Sequence, residues 1–360
     1  MNKQYNRIWM ISDIHAGARS SSLEWLNIQM EYFYNFFIPN LKKYKKENDV
    51  LFVLGDLFDN RQVVNILVLN KFFKLFEDIS KILDVHIIVG NHDIYEKNSN
   101  EVTPLESFKY IPNIYVYKEP IVLNINNKKC LLMPWRRDSE HEIETLDNFS
   151  NIDYLFCHSE VKGVKLNAKS VEMHGNDIET FKSYKRIYSG HIHYSQKRRN
   201  FRFVGNPYEM TRSDMNNKKA IYILNTSDDT EVAIENTYSP RHIRVFLNDI
   251  LEKNINDLKK DFNNNFIDIY VDSTDVIKYN FSTLMNSLDG LSRRMEPKIY
   301  ETDKTVSDID IDQEKIENDE FNVLNIANKY VNNMTYDKEY KEKILEKIKS
   351  LYKEALNSAK

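Results

Sequence analysis

Short apolar segments recur along the first two-thirds of the chain, and Asp, Asn or His follows closely after each of them. These segments are Ile8–Ile11, Val50–Leu54, His86–Val89, Tyr154–Cys157 and Arg186–Tyr188. Apolar residues three and four positions apart fill Leu23–Tyr44 and Val63–Leu83, and this spacing predicts amphipathic helices between the first three segments. Strands that alternate with helices indicate an α/β fold with a largely parallel sheet.

More strands are predicted downstream of this alternation. They lie at Ile114–Tyr117, Ile121–Ile125, Cys130–Met133, Phe201–Val204 and Ala220–Leu224. Asn126–Lys128 has the composition of a hairpin turn between two of them. We therefore expect one domain over residues 1–240.

The sequence changes character after Pro240. The predicted elements there are strands at Ile243–Phe246 and Ile267–Val271 and helices at Asp249–Phe262 and Phe281–Arg294. They predict a small α+β domain over residues 241–300. Residues 301–319 are acidic and lack aromatic side chains, which is typical of a linker. Residues 320–360 contain two predicted amphipathic helices, Phe321–Val331 and Lys338–Leu356.

Composition excludes several classes of protein. Of 360 residues, 41% are hydrophobic and 29% are charged, and no apolar run approaches the ~20 residues of a membrane span. The polar N-terminus leads into an apolar run too short for a signal peptide, and two cysteines do not make a disulfide framework. These features favour a cytoplasmic protein with no membrane partner. Because the net charge is −4, contact with nucleic acid requires a local basic face.

Polar residues with metal-binding side chains follow five of the predicted strands. They are Asp13 and His15, Asp56, Asn91 with His92 and Asp93, His158, and His191 with His193. In open α/β sheets, ligands bind beyond the carboxyl ends of the strands, so we expect these side chains to converge. The mixture of carboxylate, amide and imidazole suits Mn²⁺, Mg²⁺, Fe or Zn²⁺. A pair of such ions can polarise a phosphoryl oxygen, generate hydroxide and clamp an in-line displacement.

In this order, the motifs resemble those of the calcineurin-like metallophosphoesterases. Within that superfamily the sequence is most similar to the SbcD-type DNA repair nucleases, and especially to their phage branch. Met133-Pro134-Trp135 and Val204-Gly205-Asn206-Pro207 support this narrower resemblance. The resemblance implies a β-sandwich flanked by helices, followed by a small α+β capping domain that helps to grip DNA and by C-terminal helices.

The resemblance also implies a role for each site residue. Asp56 would bridge two divalent metal ions, most commonly Mn²⁺ with Mg²⁺ or Fe as alternatives. The remaining ligands would be Asp13, His15 and His193 at one ion, and Asn91, His158 and His191 at the other. His92 would contact the scissile phosphate or protonate the leaving oxygen as a general acid. Asp93 would orient His92, although a helix N-cap explains Asp93 about equally well.

The chain departs from the family pattern at Asp59. Cellular members of the nuclease family have a second histidine at this position, and the family ties that histidine to exonuclease action. Asp59 leaves the implied metal ligands intact. The balance between exonuclease and endonuclease action therefore stays open.

Basic residues border the metal motifs and predict contact with DNA phosphates. They are Lys162, Lys165, Lys169, Lys182, Lys185, Arg186, Lys197, Arg198, Arg199 and Arg202.

The resemblance implies further partners. One is an SMC-like ATPase subunit, bound through the C-terminal helices. The other is a second copy of the chain, giving a homodimer within a heterotetramer.

The sequence therefore predicts a two-metal DNA nuclease subunit that cuts phosphodiester bonds at DNA ends in recombination and double-strand-break repair. Two alternatives remain. One is a small-molecule phosphodiesterase or phosphomonoesterase on the same fold, because the fold alone does not fix the function. The other is a scaffold subunit that binds DNA ends without turnover.

Overall fold

The computed structural model describes residues 4–97, 99–272, 275, 281–300 and 341–347 of the chain. The chain divides into two compact units. The first comprises Met1–Ile243, Lys259–Ile267 and Leu291–Arg294, and the second comprises Arg244–Leu258, Asp268–Gly290 and Met295–Lys360. No helix within the described residues has the length and apolarity needed to cross a membrane.

The strands and helices are numbered here in chain order. The strands are β1 (Arg7–Ile11), β2 (Asp49–Leu54), β3 (Asp84–Ile88), β4 (Ile114–Tyr117), β5 (Ile121–Ile125), β6 (Lys128–Met133), β7 (Tyr154–His158), β8 (Arg186–Gly190), β9 (Gln196–Arg198), β10 (Phe201–Phe203), β11 (Ala220–Asn225), β12 (Thr230–Glu235), β13 (His242–Phe246), β14 (Phe266–Asp272) and β15 (Arg294–Tyr300). The α-helices of five or more residues within the described residues are α1 (Leu23–Tyr32), α2 (Ile38–Tyr44), α3 (Ile66–Ser80), α4 (Ser139–Asp147), α5 (Leu247–Leu251), α6 (Ile255–Phe262) and α7 (Phe281–Leu288). A π-helical turn, Phe33–Phe37, joins α1 to α2.

Two six-stranded sheets form the first unit, in the orders β12-β11-β1-β2-β3-β4 and β5-β6-β7-β8-β10-β9. Strands β1 to β4 are parallel, as are β6, β7, β8 and β10. Antiparallel strands β11 and β12 extend the first sheet, and β5 and β9 close the two edges of the second. The predicted α/β class with a largely parallel sheet is confirmed.

The two sheets stack face to face and share an apolar core. Phe52 of the first sheet meets Phe156 of the second with ring centroids 4.9 Å apart at 89°, and Met10 and Tyr188 lie in the same cluster. Helices α1 to α3 cover the outer face of the first sheet. Because β2 is therefore covered on both faces, all six of its residues are buried, which explains its continuous apolar sequence. The structure is the expected β-sandwich flanked by helices.

Several elements differ from the prediction. The predicted helix at Asp249–Phe262 is two helices, α5 and α6, with a break at residues 252–254. The predicted helix at Phe281–Arg294 ends at Leu288, and Arg294 instead begins β15. Strands β13, β14 and β15 form a three-stranded sheet in that order. The predicted linker at residues 301–319 lies outside the described residues, as do the C-terminal helices except for residues 341–347, which are helical.

Candidate metal centre

The candidate ligands emerge from the carboxyl ends of strands in both sheets. Asp13 follows β1, Asp56 follows β2 and Asn91 follows β3, whereas His158 is the last residue of β7 and His191 follows β8. The ends meet because the sheets are stacked: the amide of His191, from the second sheet, donates to Oδ1 of Asp13, from the first, at 3.0 Å.

Four of these residues have a left-handed backbone. The φ angles are 52° at Asp13, 50° at His15, 51° at Asp56 and 75° at His191. This region costs free energy for any residue with a Cβ, and residues held in it cluster at functional sites. Residues in this strained conformation thus coincide with candidate ligands just after β1, β2 and β8.

One group of candidate ligands consists of Asp13, His15 and His193, whose ligand atoms lie within 4.8 Å of one another. Nε2 of His15 is 3.0 Å from Nε2 of His193. Nε2 of His193 is 3.9 Å from Oδ1 of Asp13. Two imidazole nitrogens and a carboxylate that converge in this way match the donor set of a divalent transition metal.

The second group consists of Asp56, His158 and His191, again within 4.8 Å of one another. The side-chain oxygen of Asn91 lies 2.9 Å from Nε2 of His158 and 2.9 Å from Nδ1 of His191. Asp56 joins the two groups, because its Oδ2 lies 3.3 Å from His158 and 3.8 Å from Nε2 of His15. The structure thus brings together every residue implied as a metal ligand, and Asp56 lies between the two groups.

Hydrogen bonds on the far side of two rings fix which nitrogen faces the site. Nδ1 of His158 lies 2.7 Å from the main-chain carbonyl of Leu54. Nδ1 of His15 lies 3.1 Å from Oδ1 of Asp59. Each partner leaves Nε2 as the nitrogen available to a metal. The sequence prediction assigned no positive role to Asp59, although a carboxylate three residues after Asp56 was a signal that could have suggested one.

The residues present fit a metal pair. Oδ2 of Asp13 is buried and lacks a hydrogen-bond partner among the described residues, which is costly unless a cation occupies that position. The backbone around the ligands is also closely packed. A Cβ on Gly55 would lie 2.4 Å from Nδ1 of His158, and one on Gly90 would lie 2.2 Å from Oδ1 of Asp56. Only glycine at these two positions leaves both ligands in place.

The ionisable groups depart from their ordinary pKa values. Burial would raise the pKa of Asp56, but His158, His15 and His92 lower it well below its usual value, so Asp56 stays ionised. Burial would lower the pKa of His158, but Asp56 raises it to about 9. Burial and the charge on His158 lower the pKa of His191 to about 3. Asp56 and His191 are thus in the protonation states that metal ligands require, whereas His158 would release a proton when a metal binds.

His92 lies beside both groups and is half-buried. Its Nδ1 is 2.7 Å from the main-chain carbonyl of Asp59, and its ring packs against that of His15 with centroids 4.9 Å apart. Its amide donates to Oδ1 of Asp56 at 2.8 Å. With Nδ1 engaged by a carbonyl, Nε2 is the nitrogen that remains for a substrate.

The expected contact between Asp93 and His92 is corrected by the structure. The Asp93 carboxylate accepts hydrogen bonds from the amides of Leu57, Phe58 and Gly90, at 3.2, 2.9 and 3.0 Å. It is fully buried, and burial with the charge of Asp56 raises its pKa to about 7. Asp93 therefore ties together the loops that follow β2 and β3, while the Asp59 carbonyl holds the His92 ring.

Trp135 is a neighbour of the site that sequence reasoning left without a role. Its ring centroid lies 5.1 Å from that of His191 and 6.0 Å from that of His158. Its amide donates to the carbonyl of Val89, directly before the Gly90 turn. Trp135 thus forms one wall of the second ligand group.

The basic residues predicted to contact DNA are partly paired with carboxylates. The pairs are Lys185 with Asp229, Arg199 with Glu179, and Arg202 with Glu231. The Lys185 and Arg199 side chains are more than half exposed, and exposed pairs exchange partners readily because each contributes only ~0–1 kcal/mol. The Arg202–Glu231 pair is largely buried, with side chains 20% and 15% exposed. Contact of this surface with DNA stays a prediction.

Comparisons with known proteins identify the family of the chain. The sequence profile of the calcineurin-like phosphoesterase family matches residues 6–195. Exonuclease subunit 1 of Enterobacteria phage T4 is 30% identical over 251 residues, which is 66% of this chain and 70% of that protein. Putative phosphoesterase 244L of Invertebrate iridescent virus 6 is 25% identical over 175 residues, which is 47% of this chain and 61% of that protein. The solved structure of an archaeal phosphodiesterase covers 64% of this chain and 99% of its own at a TM-score of 0.34 and 14% identity. By the profile match and the phage relative, the chain belongs to the calcineurin-like phosphoesterase family.

Proposed function

We propose that this chain is a metal-dependent DNA nuclease that hydrolyses phosphodiester bonds. One observation carries the proposal: the Asp56 carboxylate lies between the two ligand groups, 3.3 Å from His158 and 3.8 Å from His15, and the His92 amide donates to it. The similarity to a phage exonuclease subunit favours a nucleic acid as the substrate, and the resemblance of the motifs to DNA repair nucleases favours DNA.

In this proposal the ligands are Asp13, His15, His193 and Asp56 at one ion, with Asn91, His158, His191 and the shared Asp56 at the other. Mn²⁺ is the proposed metal, with Mg²⁺ or Fe as alternatives, since all of these ions accept oxygen and imidazole donors. When bound, the pair supplies Lewis-acid polarisation of the phosphoryl oxygen and a nucleophile from water.

His92 is the proposed general acid. The Asp59 carbonyl can only accept a hydrogen bond, so Nδ1 of His92 must carry its proton. The proton given to the leaving oxygen therefore comes from Nε2 of the imidazolium form. Holding the ring by a main-chain carbonyl keeps that nitrogen in one orientation beside the metal ligands.

The biological setting proposed for this activity is the processing of DNA ends in recombination and double-strand-break repair. The phage relative is called a subunit, which supports a partner protein. We propose that this partner is an SMC-like ATPase bound by the C-terminal residues, and that the nuclease itself forms a dimer within the assembly. Deletion of residues 320–360 tests this: it should abolish ATPase binding and leave nuclease activity in place.

The first experiment compares cleavage of linear and circular single-stranded DNA by the purified chain with Mn²⁺. His92→Ser should reduce cleavage about 10²–10⁴-fold, the usual contribution of a positioned general acid. His174→Ser is the matched control, because His174 is an exposed histidine outside both ligand groups. It should cleave at the normal rate.

The alternatives give different results in the same assay. Turnover of bis(p-nitrophenyl) phosphate without cleavage of either DNA would replace the nuclease with a small-molecule phosphodiesterase. No turnover of any substrate, together with normal DNA binding, would indicate a scaffold subunit. Equal DNA cleavage by the wild type and by His92→Ser would remove His92 from its role.

A further inference from the structure

A cavity of about 430 Å³ lies beside the metal centre, and Trp135 is part of its lining. The Trp135 ring contacts His191 and His158, so the cavity and the second ligand group share a wall. This volume lies in the range of sites for small ligands, which is about 300–1,000 Å³.

Side-chain hydrogen bonds connect the segments that line the cavity. The side-chain amide of Asn100 donates to the carbonyls of Lys118 and Trp135, at 3.0 and 2.9 Å. Arg136, which is 6% exposed, donates to the carbonyls of Pro134 and Lys118 and to the carboxylate of exposed Glu119. These bonds hold the segment that carries Trp135 in place.

The lining combines an aromatic surface with charges of both signs. Lys118, Arg136 and Arg137 line the cavity together with half-buried Trp135. The exposed carboxylates Glu101 and Glu119 line it too, and Glu119 is paired with Arg136. The Arg137 side chain is 52% exposed, and its ion-pair partner is its own neighbour Asp138 at 3.2 Å. Such a pair is worth only ~0–1 kcal/mol, so the guanidinium can transfer to a phosphate at little cost. Arginine matches phosphate with two parallel hydrogen bonds.

We propose that this cavity binds one nucleoside monophosphate unit of the DNA substrate, with its base against Trp135 and its phosphate on Arg137. The inference rests on the proposed nuclease function and names the subsite next to the scissile phosphate. Aromatic stacking accepts any base, so this subsite adds affinity without sequence preference. The same chemistry fits a free mononucleotide released by cleavage, and the experiments separate the two sources.

Intrinsic fluorescence provides a direct binding assay. The sequence contains three tryptophans. Trp9 is fully buried and Trp25 is 6% exposed, so Trp135 is the accessible one. Thymidine 5′-monophosphate should quench the emission of the wild type saturably, and Arg137→Ala should weaken that binding about tenfold, the loss typical of one charge-assisted contact. Trp135→Phe should abolish the quenching signal. An unquenched wild type, or equal binding by Arg137→Ala, would overturn the proposal.

Steady-state kinetics then identify the source of the nucleotide. For a single-stranded oligonucleotide, Arg137→Ala should lower kcat/KM about tenfold more than for bis(p-nitrophenyl) phosphate, which lacks a base. Lys81→Ala is the matched control, because it removes one exposed positive charge at the end of α3. It should change neither value. If the wild type binds the mononucleotide but Arg137→Ala lowers kcat/KM equally for the two substrates, the cavity is a product site. That result would overturn its assignment to the DNA substrate.

The two assays also separate this proposal from the proposed function. Absence of DNA cleavage by the wild type contradicts the nuclease. Absence of nucleotide quenching contradicts the subsite, whether or not the chain cleaves DNA.

Discussion

Asp59 holds two histidines of the candidate site at once. Its carboxylate oxygen Oδ1 lies 3.1 Å from Nδ1 of His15, and its main-chain carbonyl lies 2.7 Å from Nδ1 of His92. One residue therefore orients both a candidate metal ligand and the candidate general acid. Cellular nucleases of the resembled family carry a histidine at this position. The aspartate that this chain has instead contacts His15.

Removing the Asp59 carboxylate should weaken metal binding. Loss of a group that orients a metal-bound histidine typically costs 10–100-fold in affinity, so Asp59→Ala should bind Mn²⁺ about that much more weakly. Asp59→Asn should lose less, because an amide oxygen still accepts from Nδ1 of His15. Isothermal titration calorimetry with MnCl₂ measures both variants. Asp228→Ala, at an exposed turn, is the control, and an Asp59→Ala variant with wild-type affinity would contradict the role.

The convergence of the candidate ligands could be predicted from the sequence because each lies within a few residues of a predicted strand end. The partners of Asp93 could not be predicted. Its carboxylate accepts hydrogen bonds from main-chain amides, including those of Leu57 and Phe58 on a different loop. Because nearly every residue has such an amide, the residue types do not indicate which amides a carboxylate will bind. Trp135 likewise gained a role only through its distance to His191.

The fold prediction succeeded where strands are buried on both faces and failed where periodicity is weak. The segment Ser139–Asp147 is mostly polar and gives no clear apolar stripe, so α4 was missed. The strand Arg294–Tyr300 contains Pro297 and three charged residues, which disfavour a strand in isolation. It forms because it pairs with β14 in the three-stranded sheet, and this long-range pairing is not visible in the β-propensity of the segment itself.

Lys219 should be important for stability, since its side chain is 4% exposed and forms a buried ion pair with Asp214 at 2.7 Å. Its Nζ also donates to the carbonyl of His193 at 3.0 Å. Lys219→Met leaves the Asp214 charge buried and unpaired, so we expect a loss of about 3–5 kcal/mol in the free energy of unfolding.

Urea denaturation measures this loss. The exposed neighbour Lys218 provides the matched control, and Lys218→Met should stay within about 0.5 kcal/mol of the wild type. Adding Asp214→Asn to Lys219→Met should recover part of the loss. If Lys219→Met and Lys218→Met had the same effect, the buried pair would not stabilise the fold.

Gly90→Ala should disrupt the metal centre while leaving the sheets intact. A Cβ at Gly90 would lie 2.2 Å from Oδ1 and 2.3 Å from the amide nitrogen of Asp56, so the bridging carboxylate must move. We expect Mn²⁺ affinity to fall by at least about tenfold, as judged by calorimetry. Gly290→Ala is the comparison, because a Cβ there meets no atom within 4 Å. It should bind Mn²⁺ normally. Normal binding by Gly90→Ala would show that the loop carrying Asp56 can move without loss of the metal site.

The buried carboxyl of Glu142 should make the protein less stable as the pH rises. Glu142 accepts a hydrogen bond from Asn176 at 2.7 Å, and burial raises its pKa from 4.5 to about 7. The folded state therefore binds a proton that the unfolded state releases above pH 4.5, so the stability from this group is complete below that pH and is lost as the pH passes through 7.

Glu142→Gln removes the titrating carboxyl. Its stability relative to the wild type should rise from a small difference at pH 5 to a gain on the order of 3 kcal/mol at pH 8. Urea denaturation at both pH values measures this gain, with Glu140→Gln, an exposed change on the same helix, as the control. A pH-independent difference between Glu142→Gln and the wild type would show that Glu142 is ionised in the folded protein throughout this range.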